Sequence, residues 1–169
     1  MDDLRQTSAY WNRVFSDRQT FDPMEPLPYP VLEDALRWLA DSHDVLDFGC
    51  GRGRALLRAL VLGAERGVGI DISEEAIATA HAVVREHRLA IRCQFSCGSI
   101  DLLQNMATST FDGALLFNIL DNLAPRQGIA VLNEVHRLLR PESRVLIKLN
   151  AHLEQADLHH HVQLEKDLY

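Results

Sequence analysis

Cysteine is scarce: Cys50, Cys93 and Cys97 are the three in 169 residues. An odd count without zinc-type paired spacings argues against a disulfide framework and fits reduced thiols in a reducing compartment. Long apolar runs are also missing, since stretches such as Ala59 to Leu62 and Ala114 to Phe117 fall far short of the roughly 20 residues that cross a bilayer. No membrane span is expected. Nor is there a basic excess: 17 Lys and Arg stand against 24 Asp and Glu, a net charge of -7. The surface as a whole does not attract phosphate backbones, so nucleic acid is not an expected partner. The acidic start, Met1-Asp2-Asp3-Leu4-Arg5, lacks the basic-then-apolar pattern of a secretory signal, so a cytoplasmic location is expected. There is no internal repeat and no low-complexity tract.

What is present is ordinary in amount and informative in order. Apolar residues make up 47% and charged residues 24%, as in soluble globular domains, and the length suits one domain spanning 1–169. Residues 1–30 form its N-terminal part. There Leu4, Trp11, Val14 and Phe15 fall near one helical face over residues 3–16, before the four prolines between Phe21 and Pro30 break any helix. A helix resumes from Pro30 through Leu32, Leu36 and Leu39.

Strand and helix then alternate. Val45 to Phe48 reads as a buried strand, and Arg54 to Leu62 as a helix with Leu56, Leu57, Leu60 and Val61 inward and Gly63 as its C-terminal cap. Gly67 to Ile72 is a second strand, followed by a helix over Glu74 to His87 with Ser73 as its N-cap. Ile91 to Phe95 and Phe111 to Phe117 are the next strands. Pro125 to Leu139 is a helix with Ile129, Leu132, Val135 and Leu139 inward, and Arg144 to Leu149 is a fifth strand. Short apolar strands separated by amphipathic helices predict an α/β doubly wound, mostly parallel sheet.

The chemistry concentrates where the first strand runs into Asp47-Phe48-Gly49-Cys50-Gly51-Arg52-Gly53-Arg54. Glycines there permit positive φ and close approach of the backbone to a ligand. A second strand ends at Asp71, where a carboxylate can accept hydrogen bonds from both ribose hydroxyls. The dinucleotide fingerprint G-x-G-x-x-G would need glycine at position 54, where this chain has Arg54. That disfavours a nicotinamide-dependent oxidoreductase.

The pattern D-x-G-x-G-x-G resembles motif I of the class I S-adenosylmethionine-dependent methyltransferases, and Gly69-Ile70-Asp71-Ile72-Ser73 resembles their acidic ribose-binding motif. Phe111 to Leu123 is similar to the fourth-strand motif, and Leu132 to Pro141 to the helix that follows it. The resemblance covers roughly residues 10–150. Two departures stand out: Glu142-Ser143 in place of two glycines, and Gly98-Ser99 in place of Gly-Asp.

This resemblance implies a Rossmann-like fold and S-adenosylmethionine as cofactor, with S-adenosylhomocysteine as product. It implies that Gly49 and Gly51 lie against the methionine and ribose parts and that Asp47 sits behind them near the amino group. Asp71 would hold the ribose, Ile72 would pack on the adenine, and Ser99 and Ile100 would meet the adenine edge. The backbone of Asn118 would face the methionyl ammonium. The expected activity is methyl transfer by in-line displacement to an unidentified, small-molecule acceptor. The alternative is a catalytically inactive cofactor-binding module or complex subunit.

Other features admit plainer readings. Asp121, just past the fourth strand, is a candidate general base should the acceptor be a hydroxyl or thiol; no catalytic residue is otherwise assigned. Asp101 reads as a solvated loop carboxylate. Trp11 suits a lid over the cofactor and core packing equally. His159-His160-His161, with His152 and Asp157 nearby, read as a solvated polar segment, because consecutive residues cannot all face one metal ion. After the fifth strand only Asn150 to Tyr169 remain, too few for the helix and two-stranded hairpin with which the family's sheet normally ends. The sheet is therefore expected to lack its last strands. Its exposed edge would be covered by the tail, by a second copy or other partner chain, or by the rest of a longer protein.

Overall fold

Alternate residues along each central strand face opposite sides of the sheet, and both sets are apolar, so helices must cover both faces. The computed structural model describes residues 2–150 and shows this arrangement. The strands are β1 (Asp44–Phe48), β2 (Arg66–Asp71), β3 (Cys93–Cys97), β4 (Phe111–Phe117) and β5 (Leu139–Lys148). They form one parallel sheet in the order β3-β2-β1-β4-β5. The helices are α1 (Asp2–Val14), α2 (Pro30–Leu39), α3 (Arg54–Leu62), α4 (Glu74–Glu86), α5 (Ile100–Gln104) and α6 (Pro125–Leu138). Val45 and Leu115 join the core beneath α2, α3 and α4, which supply Leu36, Leu56, Leu60, Ile77 and Val83. Leu46 and Leu116 face the other way, into the core that includes Leu103, Val131, Val135 and Leu138 of α5 and α6. The doubly wound α/β expectation holds.

Local rules account for the boundaries. Pro30 opens α2, where its missing N–H costs nothing. Ser73 caps α4 as expected, its Oγ accepting the Ala76 N–H at 3.1 Å, and Glu74 and Glu75 sit at the positive end of the helix dipole.

Several expectations need correction. In α6 the buried positions are Gly128, Val131, Val135 and Leu138. Ile129 and Leu132 are 61% and 41% exposed, and Leu139 already begins β5. The helix is rotated by about one residue from the expected face, with Gly128 turned toward the Leu120 carbonyl. The third strand starts at Cys93 rather than Ile91, which is 96% exposed. The chain first makes a turn in which Arg92 N–H donates to the Leu89 carbonyl, while the Arg92 guanidinium donates to the carbonyls of Leu60, Ala64 and Glu65. Val61 is half-buried, and Leu4 and Val14 are exposed. β5 pairs only with β4, so it is a sheet edge among the described residues. The segment expected to cover it, and the histidines at 152 and 159–161 with Asp157, lie outside those residues. No helix among them is long and apolar enough to cross a membrane.

A buried ion pair fixes the proline-rich loop. Arg58 of α3 donates from Nε to Glu33 of α2 at 3.0 and 3.1 Å, and from Nη2 to the same carboxylate. Its Nη1 reaches the carbonyls of Met24 at 2.7 Å and Pro23 at 3.3 Å, and the Leu27 N–H donates to Glu33 at 3.1 Å. The hydrogen bond from Arg58 holds the Glu33 carboxyl below its ordinary range. A depressed carboxylate stabilises the fold fully above its unfolded pKa of about 4.3, and that contribution disappears as pH falls through the folded value. Removing one partner strands the other without compensation, so Arg58→Met should lower the unfolding free energy by about 3 to 5 kcal/mol in urea titrations at pH 7. The deficit should shrink as the titrations are moved below pH 4.

Candidate active site

The site forms where β1 ends, between β2 and β4, the position at which the strand order reverses and a crevice opens. The glycine turn is bound to β2: the Gly49 and Cys50 N–H groups donate to the Ile70 carbonyl at 2.8 and 3.0 Å. Two of its glycines are required by both conformation and space. Gly49 has φ +75°, and a Cβ there would lie 2.8 Å from Ile119; Gly53 has φ +79°, with Phe95 2.5 Å from where its Cβ would be. Asp71 completes the tie, accepting the Gly51 N–H at 2.7 Å and the Ser73 N–H at 2.9 Å.

Above this floor lies a cavity of about 800 Å³, large enough for a nucleoside-sized ligand with room beside it. All eight residues singled out from the sequence line it: Asp47, Gly49, Gly51, Asp71, Ile72, Ser99, Ile100 and Asn118. Asn118 sits at φ +52° at the end of β4. Its N–H donates to the Lys148 carbonyl at 2.7 Å, Lys148 Nζ donates to its Oδ1 at 2.5 Å, and its own carbonyl accepts from Asn122 Nδ2 at 2.7 Å. The Ser99 hydroxyl donates to Asp101, an exposed carboxylate that this bond holds below its ordinary range.

The structure adds residues that the strand-and-helix pattern did not reveal. Leu4, Thr7 and Trp11 of α1, with Phe15 and Gln19 to Phe21 after it, form one wall. Ser8 Oγ donates to the Ile72 carbonyl at 3.2 Å, and Asn12 Oδ1 accepts from Ser73 Oγ at 2.8 Å. An ion pair between Arg18 and Glu75 holds the far end. Trp11 is thus a half-buried cavity wall, in contact with Tyr10 and Phe15. Arg52 and Arg54 also line the cavity; two arginines within a glycine turn were the sequence signal available for them. Asp121 does not line it: its Oδ2 accepts the Asn150 N–H at 2.8 Å, and its Oδ1 is shut off from solvent without a partner. That placement removes the reason for naming it a general base.

Charge in the cavity floor is unevenly compensated. Asp47 is 1% exposed, and neither of its oxygens has a hydrogen-bond partner among the described residues. Burial, helped by the nearby Asp71 charge and opposed by the Leu56 amide, pushes its pKa up to about 8. Burial also raises Asp71, against the N–H groups of Ser73 and Gly51. The Cys50 thiol is raised well above its ordinary value by burial and by both carboxylates, which disfavours the thiolate.

A family model described as "Methyltransferase domain" matches residues 39–169. The chain belongs to this methyltransferase family. It is 29% identical over 111 residues to ribosomal protein L11 methyltransferase of Thermotoga maritima, covering 66% of this chain and 38% of that protein. This family member therefore spans well under half the length of that curated relative. Among solved structures, an S-adenosylmethionine-dependent methyltransferase from Archaeoglobus fulgidus has a TM-score of 0.59 at 22% identity, covering 70% of this chain and 49% of that one. That is a likeness of fold. The [4+2]-cyclase SpnF has a TM-score of 0.56 at 26% identity, covering 72% of this chain and 45% of its own.

A carboxylate with a raised folded pKa binds a proton that the unfolded chain has released, so it costs stability as pH rises from about 4 toward 8. The unfolding free energy of Asp47→Asn, measured against wild type in urea at successive pH values, should therefore gain on wild type through that window and level off above it. A difference independent of pH would show that Asp47 titrates normally.

Proposed function

We propose that the chain is a single S-adenosylmethionine-binding domain that carries out methyl transfer to a small-molecule acceptor. The observation that supports this most directly is Asp47, a carboxylate buried in the cavity floor with no hydrogen-bond partner among the described residues. Such a group is costly unless a bound cation compensates it, and the amino group of an S-adenosylmethionine molecule is one. In this reading Asp71 accepts from the ribose hydroxyls with its remaining lone pairs. Ile72 packs on the adenine, Ser99 and Ile100 meet its edge, and Gly49 and Gly51 allow the backbone close to the methionine and ribose parts. The Asn118 carbonyl keeps one lone pair for the ammonium, the other being taken by Asn122.

The cofactor supplies a methyl group already activated by the sulfonium, so the chain's own task is alignment and exclusion of water. Proximity of that kind is worth about 7 to 11 kcal/mol. Trp11, Phe15, Phe21 and Leu123 give the cavity an apolar wall suited to a small, partly aromatic acceptor. A protein acceptor is the second reading, favoured by the name of the Thermotoga maritima relative.

Thermal unfolding tests the cofactor. S-adenosylmethionine or S-adenosylhomocysteine at 100 times its dissociation constant adds about 2.7 kcal/mol, which for this length raises the midpoint by roughly 5 to 11 °C. NADH should give no rise, and Asp71→Ala should abolish the rise seen with the sulfur nucleosides. A rise with NADH alone would overturn the reading. Binding without turnover against an acceptor panel would favour the inactive module.

A further inference from the structure

Helix α3 begins against the usual rule for helix ends. Its first turn has no acidic residue, its N-cap Gly53 offers no side chain, and its first residue is Arg54, a cation where the helix dipole already places positive charge. The other arginine lining the cavity, Arg52, is bonded to Asp17 and lies over Phe15. Arg54 has no carboxylate partner among the described residues, although acids outnumber bases in the chain by 24 to 17. Its guanidinium lies over the Phe21 ring, 5.6 Å from the centroid. Stacking fixes the plane of the group and leaves the N–H donors around its rim unspent.

The same turn carries the Leu56 amide, which acts on Asp47. Among the described residues, a buried carboxylate without a hydrogen-bond partner and an exposed guanidinium without a carboxylate partner therefore line one cavity. Together they are complementary to a ligand bearing both an ammonium and a carboxylate. We propose that Arg54 is a carboxylate-binding residue of this cavity, taking either the amino-acid end of S-adenosylmethionine or a carboxylate on the acceptor. The inference rests on the cofactor reading above for the first source and is independent of it for the second.

Calorimetry on the full chain and on Arg54→Gln distinguishes the sources, with S-adenosylhomocysteine, 5′-methylthioadenosine, 3-phenylpropionate and its amide as probes. If the cofactor supplies the carboxylate, S-adenosylhomocysteine binds the variant about ten- to a hundredfold more weakly, the range for one lost charged hydrogen bond. Methylthioadenosine, which lacks the amino-acid end, then binds both proteins alike. If the acceptor supplies it, both nucleosides are unaffected. In that case 3-phenylpropionate binds S-adenosylhomocysteine-loaded wild type but not the loaded variant, and the amide binds neither. Arg54→Lys, which keeps the charge, should recover part of either loss, and an unchanged unfolding midpoint shows that the variants fold. Equal binding of every probe to wild type and variant overturns the proposal. Should wild type bind neither nucleoside, the cofactor reading falls, and 3-phenylpropionate on the nucleoside-free protein decides this one in the same way.

Discussion

The shape of the cavity floor depends on the Asp71 carboxylate, which accepts N–H groups from two different turns. One bond goes to Gly51 in the turn after β1, the other to Ser73 at the start of α4. Two strands that are neighbours in the sheet are thereby joined at their carboxyl ends as well as along their length. Ser73 extends the tie by capping α4 and by donating to Asn12 of α1. A single side chain thus connects the glycine turn, the helix that follows β2 and the wall of the cavity.

Around that tie the charges are arranged in two contrasting ways. Glu33 and Arg58 are buried together, and nearly all of their hydrogen-bonding capacity is used within the fold, which secures the loop ahead of α2. Asp47 is buried alone. The first arrangement is structural and complete. The second is a cost to the free protein that a proton or a bound cation can offset, and departures from local stability rules of this kind gather at functional sites. Arg54 at the start of α3 is another such departure, and it borders the same cavity.

Much of this was legible in the residues. Strand and helix order, the glycine turn, the cap at Ser73 and the acid at the end of β2 follow from periodicity and local chemistry, and those signals survive in an isolated segment. The errors fell where local signals are ambiguous. Over Pro125 to Leu139 two helical faces are apolar, and the one that is buried is the one that meets Leu46, Leu103 and Leu116 across the core. At Ile91 an apolar residue suited a strand, but the Arg92 guanidinium holds the preceding turn through three carbonyls far away in sequence. Asp121 looked available as a base until the Asn150 N–H was found bonded to it.

By itself the sequence determined the fold class, the glycine turn and the acid that ends β2, because alternation, glycine spacing and a strand-terminal carboxylate are short-range properties of the chain; the family and the other residues round the crevice followed from the resemblance that its motifs carry. The tertiary structure alone decided that, among the described residues, Asp47 has no hydrogen-bond partner and Arg54 no carboxylate partner while Arg52 has one, and that α1 walls the cavity. Compensation of a buried charge depends on which distant groups come within hydrogen-bonding distance. No pattern along the chain carries that information.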